Sequence, residues 1–288
     1  MNPTIQLAAV TILAPAAAAL AVLWLGQRAL KGAARHGLAP LAFAASYWLG
    51  YAMLSWLQSR SDFAPARHWQ WIPYLTLLSA AVGALTASIR SHIVARWALI
   101  AAVAMISTWL LVPTWPDLEP RRAITLPLVA AYLFLLTVLL EPLAGRLASS
   151  VLTSHLALTA ACSAALIAAL VSLTYGEPAV IAAAALVGCA AGAWLFPEPA
   201  LARALVLVYA VNVGGWAFTG AINPRPPLFA LLVTPLAPLA LWVSAVGPLA
   251  RKRGIAAIAL QTAAVLTVLA LAGGLAWMAT STDGDSDW

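Results

Sequence analysis

The stretch ALVLVYAVNVGGWAFTGAI, running from Ala204 to Ile222, holds nineteen residues and not one formal charge. At about 1.5 Å of rise per helical residue it reaches just under ~30 Å, the thickness of a bilayer's hydrocarbon core. A barrel strand needs only about ten residues and alternates apolar with polar positions, a pattern absent here. The stretch therefore reads as a membrane-spanning helix. Working outward, comparable segments recur at Ile5 to Gly26, Leu38 to Leu57, Trp71 to Ile89, Ile93 to Val112, Ala123 to Leu140, Val151 to Thr174, Ala179 to Phe196, Leu228 to Ala250 and Gly254 to Ala279. With Ala204 to Ile222 as segment 8, they number 1 to 10 along the chain. The ninth, which holds Pro235 and Pro238, reads as a broken helix.

Bulk composition agrees. Of the 288 residues, 64% are hydrophobic and 8% charged, against about a quarter charged in ordinary soluble domains, and mean hydropathy is +0.94. The whole chain, 1–288, is thus expected to be one all-α integral membrane domain, a polytopic bundle of about ten transmembrane helices with no room for a soluble domain. Cys162 and Cys189 both lie in apolar runs, so neither a disulfide framework nor a zinc knuckle is present in the pattern. The net charge of +6 is scattered among short loops rather than gathered in a patch. It reads as a topology signal, not as a nucleic-acid surface.

Lysines and arginines divide unevenly. Ten lie in or beside the loops after segments 1, 3, 5, 7 and 9, among them Arg28, Lys31, Arg35, Arg251, Lys252 and Arg253, and five lie on the other side. The positive-inside rule then puts those odd loops in the cytoplasm and both termini outside. Thirteen arginines against two lysines, amid abundant Ala, Leu and Pro, suggest GC-rich coding and a bacterial inner membrane. The N-terminus has no basic residue ahead of its apolar run, the reverse of a cleavable signal, so segment 1 is expected to stay. Trp56, Trp69, Trp71, Trp109, Trp115, Trp194, Trp216, Trp277 and Trp288 are assigned to an outer aromatic belt, and Trp24 and Trp97 to an inner one.

A parallel internal repeat is expected at an offset of 105 to 107 residues, relating 71–146 to 179–252. Gly83 falls on Gly188, Ala95-Arg96 on Ala202-Arg203, Trp109 on Trp216, and Pro120 on Pro227. Such halves would be related by rotation about an axis along the membrane normal. Gly188-x-x-x-Gly192 in segment 7 is the small-residue spacing that lets two helices approach closely, within the chain or with a membrane-protein partner.

Chemistry is sparse inside the bilayer. No Asp, Glu, Lys or Arg lies well within a segment. That removes aspartate-magnesium prenyl transfer, aspartyl proteolysis and retinal binding, each of which needs an intramembrane charge. No Gly-x-Ser-x-Gly surrounds any serine, so a catalytic site is not assigned, nor does any motif call for a cofactor or metal. The acidic tail Asp283-Gly284-Asp285-Ser286-Asp287 stops short of a calcium loop.

What remains is polar but uncharged. Tyr47, Tyr51, Ser55 and Gln58 share one face of segment 2, and Tyr209, Asn212, Trp216 and Thr219 share one face of segment 8 beside Gly214-Gly215. His155 in segment 6 is the histidine placed deepest in an apolar run. Its plainer reading is a neutral ring bonded to a neighbouring helix. Tyr47, Tyr51, His155, Asn212 and Trp216 are the candidate lining of a solute path. The loops Arg60 to His68 and Pro113 to Arg122 mix charge with Trp and Pro and read as a docking rim. Two functions fit: a small permease or carrier for a neutral or amphipathic solute, and a non-catalytic membrane subunit or assembly scaffold, each contacting lipid. Reporter fusions made after Gln27 and after Asp283 are expected to report opposite sides of the membrane; matching signals would invert or miscount the spans.

Overall fold

The computed structural model describes residues 3–58, 64–88, 92–115, 121–223, 228–246 and 254–281. Arg251, Lys252, Arg253, the acidic tail, and parts of both rim loops lie outside the described residues. Ten helical stretches follow the ten segments. They are α1 (Gln6–Ala29), α2 (Leu38–Leu57), α3 (Ile72–Ser88), α4 (Ile93–Leu111), α5 (Arg122–Leu140), α6 (Ser149–Leu170), α7 (Leu173–Leu195), α8 (Pro199–Ile222), α9 (Phe229–Ala245) and α10 (Ile255–Ser281). Among the described residues, eight helices are long and apolar enough to cross a membrane; α3 and α9, at 17 residues each, are shorter. The protein is an all-α, multi-pass membrane bundle.

Proline shapes two of these helices. Pro15 has no N–H to donate, and just before it the backbone of α1 widens into a π turn over Ala9–Leu13, with Ala14 bonding back to the Ala9 carbonyl. In α9, Pro235 and Pro238 remove two donors in succession, and Phe229–Leu241 winds as a 3-10 helix. Runs longer than about four residues of this kind are uncommon, because their hydrogen bonds are poorly aligned. Side chains from neighbouring helices supply extra donors: Tyr132 on α5 donates to the Leu232 carbonyl and Tyr209 on α8 to the Pro235 carbonyl, each at 3.0 Å. The tighter winding also stretches the segment. At ~2 Å per residue its 3-10 part and the α-helical end together reach roughly 30 Å, so few residues still cover a bilayer's depth.

Helix α8 is the axis of the bundle. Its spanning window is 94% buried, and it touches α2 through α7 and α9. α1 leans on α2 and α7, while α10 leans on α6 and α9. Large apolar side chains such as Met105, Ile124, Leu128 and Leu271 face outward, as lipid contact requires.

The two ends of the bundle differ. At one end Glu141, just beyond α5, is buried and pairs with Arg96 of α4 and, at 3.8 Å, with Arg203 of α8. Glu141 follows the last residue of α5, and two guanidinium groups compensate its desolvation there. Arg28 lies over Trp24 at 3.7 Å and Arg146 over Trp242 at 4.7 Å at this arginine-rich end. Trp194 belongs here too. Its indole donates to Ser154 near the start of α6, so its assignment to the same belt as Trp69 and Trp71 is corrected. α7 runs toward the arginine-rich end and carries Trp194 there with its last turn.

Gly188 and Gly192 face α1. A Cβ on Gly188 would overlap the Ala16 carbonyl oxygen, and one on Gly192 the Leu23 side chain. The small-residue face is therefore filled within the chain and is not free for another protein. Gly188→Val is expected to destabilise the protein by about 1–3 kcal/mol through overpacking. Gly274→Ala, within α10 where nothing lies within 4 Å, is expected not to lower the unfolding temperature in detergent.

Candidate functional site

Helical spacing puts Phe43, Tyr47 and Tyr51 one turn apart on α2, and their rings stack at 6.1 and 6.3 Å between centroids. From the facing helix, Trp216 donates its indole N–H to the Tyr47 hydroxyl at 3.1 Å. One turn earlier on α8, the Asn212 amide donates to Thr76 Oγ1 of α3 at 2.7 Å, and the Thr76 hydroxyl donates on to the Ile72 carbonyl. Tyr47, Asn212 and Trp216 are buried in the centre of the bundle, and Tyr51 is half-buried. Asn212 Oδ1 and Thr219 Oγ1, both on α8 and buried, have no hydrogen-bond partner among the described residues.

His155 stands apart from this column. Its ring bonds the Val151 carbonyl at 2.7 Å and Thr262 Oγ1 of α10 at 3.2 Å, in a shallow cleft near Trp194 and Ile258. Four of the five candidate residues thus form one connected column, and the histidine bonds a different helix. Gln261 donates to Ser244 Oγ at 3.0 Å, an ordinary packing bond. No group of three or more His, Cys, Asp or Glu suited to a metal is found among the described residues.

The column leads upward to a cavity. Trp69, in the short turn before α3, lies 6.2 Å from the Trp216 ring and lines a cavity of about 660 Å³ at the end opposite the arginine cluster. Its walls include Arg67, His68, Trp71, Trp109, Trp115 and Arg122, with Tyr175 and Asn223. Both rim loops contribute, so residues far apart in sequence converge here. Arg122 at the start of α5 lies over the Trp109 ring at 5.2 Å, and its buried Nε has no hydrogen-bond partner among the described residues. Asn223 ties the wall together: it accepts from the Tyr175 hydroxyl at 2.9 Å and donates to the Thr219 carbonyl at 2.7 Å. Its amide also approaches His68 Nε2 at 3.4 Å. Sequence reading flagged the loops but not Tyr175 or Asn223. The signal for those was their position at helix ends, where polar residues have many other uses.

Burial, and then the Arg67 guanidinium, push the His68 imidazole down to about 4 from the ordinary 6.5. At neutral pH the ring is uncharged, so Arg67 and Arg122 are the charged groups among the described lining residues. Asp117 and Glu119 of the second rim loop lie outside the described residues. Comparison with known protein families, with curated proteins and with solved structures finds no match to this chain. A functional reading therefore rests on the site.

The histidine's lowered pKa has a signed consequence. Unfolded chains bind its proton first as pH falls, so the stability it confers is complete above about pH 6.5 and is lost progressively toward pH 4. Thermal unfolding in detergent at about pH 7 and about pH 5 is expected to show a fall that is smaller in His68→Gln. An equal fall in both proteins would mean that His68 is not the group responsible.

Proposed function

We propose that this multi-pass membrane protein is a small permease whose solute enters through the Trp69 cavity and passes along the Tyr47–Asn212–Trp216 column. The observation that carries the reading is Asn212 Oδ1. An amide oxygen buried in the middle of a bundle without a partner is costly, and such groups commonly mark a place that water or a ligand reaches. Thr219, two turns on along α8, extends the same polar face, and Tyr51 stacks on Tyr47 across from it. A neutral or amphipathic solute suits this lining, because the column bears hydroxyl, amide and indole groups but no charge.

The arginine-rich end is the cytoplasmic one in this reading, which puts both termini outside a bacterial inner membrane. A parallel repeat relating 71–146 to 179–252 belongs to the same proposal. In its support, Gly83 and Gly188 are both close-approach points, against the Ala204 and Ala16 carbonyls respectively.

A second reading, the non-catalytic subunit, is favoured by the complete burial of Tyr47 and Trp216, whose mutual bond seals the column. Solvent access separates the two. In a background with Cys162 and Cys189 replaced, Tyr51→Cys, Asn212→Cys and the near-isosteric Thr219→Cys are expected to react with a water-soluble thiol reagent, whereas Leu128→Cys, at a lipid-facing position 63% exposed, should not. If all three column positions stayed inert in every condition, the column would be a packing surface and the subunit reading would stand.

A further inference from the structure

The cavity at the Trp69 end does not stop at its polar wall. Trp109 also lines a second, almost wholly apolar groove of about 390 Å³ between α4 and α5, formed with Met105, Thr108, Leu126, Pro127 and Ala130. Several of its side chains, among them Met105 and Trp109, are exposed on the bundle's outer surface, where lipid lies in a membrane-spanning chain. One indole is thus the shared wall of a cationic chamber and a lipid-side slot. At that junction the Arg122 guanidinium rests over the ring, its buried Nε without a hydrogen-bond partner among the described residues.

We propose that these two hollows form one site for a single-chain anionic amphiphile, its head held by Arg122 and Arg67 and its apolar tail lying between α4 and α5. Charge complementarity selects the head. Among the described lining residues two arginines are met by no carboxylate, and an arginine fork pairs in bidentate fashion with two oxygens of a carboxylate or phosphate. With its ring neutral at pH 7, His68 offers hydrogen bonding rather than a third charge. Indole faces of Trp71, Trp109 and Trp115 suit the boundary between head and chain. Pro127 helps to shape the slot, since its ring replaces an N–H within α5 and stands exposed at the groove. This inference rests on the entry cavity of the permease reading and takes the amphipathic branch of its solute class, with the anionic head held in the cavity and not in the uncharged column; it requires binding alone and not translocation.

The full chain in phosphatidylcholine nanodiscs is photolabelled with dodecanoate bearing a terminal diazirine, and the labelled positions are located by mass spectrometry. Label is expected on α4 and α5 around Met105 and Leu126 to Ala130. Arg122→Gln should weaken it about tenfold, the loss of one charge-assisted bond, with partial recovery in Arg122→Lys. Ala130→Trp, which fills the slot without touching the head, should block it, so the inference remains testable should the arginine variant fail to fold. Displacement by free dodecyl phosphate alone would point to a soluble amphiphile, and displacement also by lysophosphatidylglycerol to a single-chain membrane lipid; each supports the shared chemistry. Equal labelling by the matching alcohol and amine, label spread evenly around the bundle, or a folded Arg122→Gln that labels normally would overturn it. Labelling as expected without solute transport would leave this site standing and end the permease reading.

Discussion

A backbone carbonyl left unpaired in hydrocarbon costs several kcal/mol, and the central packing of this bundle follows from how α9 meets that constraint. Its two prolines withdraw donors, its remaining bonds tighten into a 3-10 ladder, and Tyr132 and Tyr209 reach in from α5 and α8 to bond its carbonyls. Thr234 adds a hydroxyl contact with Ser163 of α6 at 2.6 Å. These bonds pin α9 against the axial helix α8. With that wall in place, α8 is enclosed along its length, and the polar residues on its inner face are withdrawn from lipid.

Enclosure has opposite results at the two ends. At the arginine-rich end the Glu141 carboxylate draws Arg96 and Arg203 together, tying α4, the turn after α5, and α8 into a closed knot. Removing one partner from such a buried cluster strands an uncompensated charge, which makes the knot hard to open. At the other end aromatic rings meet edge to face, as Trp69 does with Tyr175 at 5.8 Å and His68 with Trp115 at 5.3 Å, and they leave a chamber between them. The chamber and the charged knot thus stand at opposite ends of the bundle, with the buried Tyr47–Asn212–Trp216 column in its centre.

Much of this was legible in the residues. Ten apolar runs gave ten helical stretches, and the Pro-rich ninth run is a helix of irregular winding. The stripes on α2 and α8 were visible as hydroxyl, amide and indole groups at helical spacing, and they do meet. Gly188-x-x-x-Gly192 announced a close approach. Ala95-Arg96 and Ala202-Arg203 stood out as matching pairs, although nothing in either pair revealed their common carboxylate. Less was legible wherever a residue's partner lay on another helix: His155 has the same polar pattern as Asn212, yet it turns toward Thr262 on α10.

Apart from helix ends, where α7 starts at Leu173 rather than Ala179, the sequence by itself determined that the chain enters a bilayer and which residues on each helix share a face. Those properties follow from composition and from a period of 3.6, both local and both readable without knowing any neighbour. Only the tertiary structure decided which faces touch. In lipid no hydrophobic driving force between helices singles out a pairing, because tails and leucines are equally apolar. Pairing depends instead on a few long-range contacts, a glycine against the Ala16 carbonyl, a tyrosine on the Pro235 carbonyl, two arginines on Glu141, and these join positions up to 172 residues apart, whose spacing carries no periodic signal.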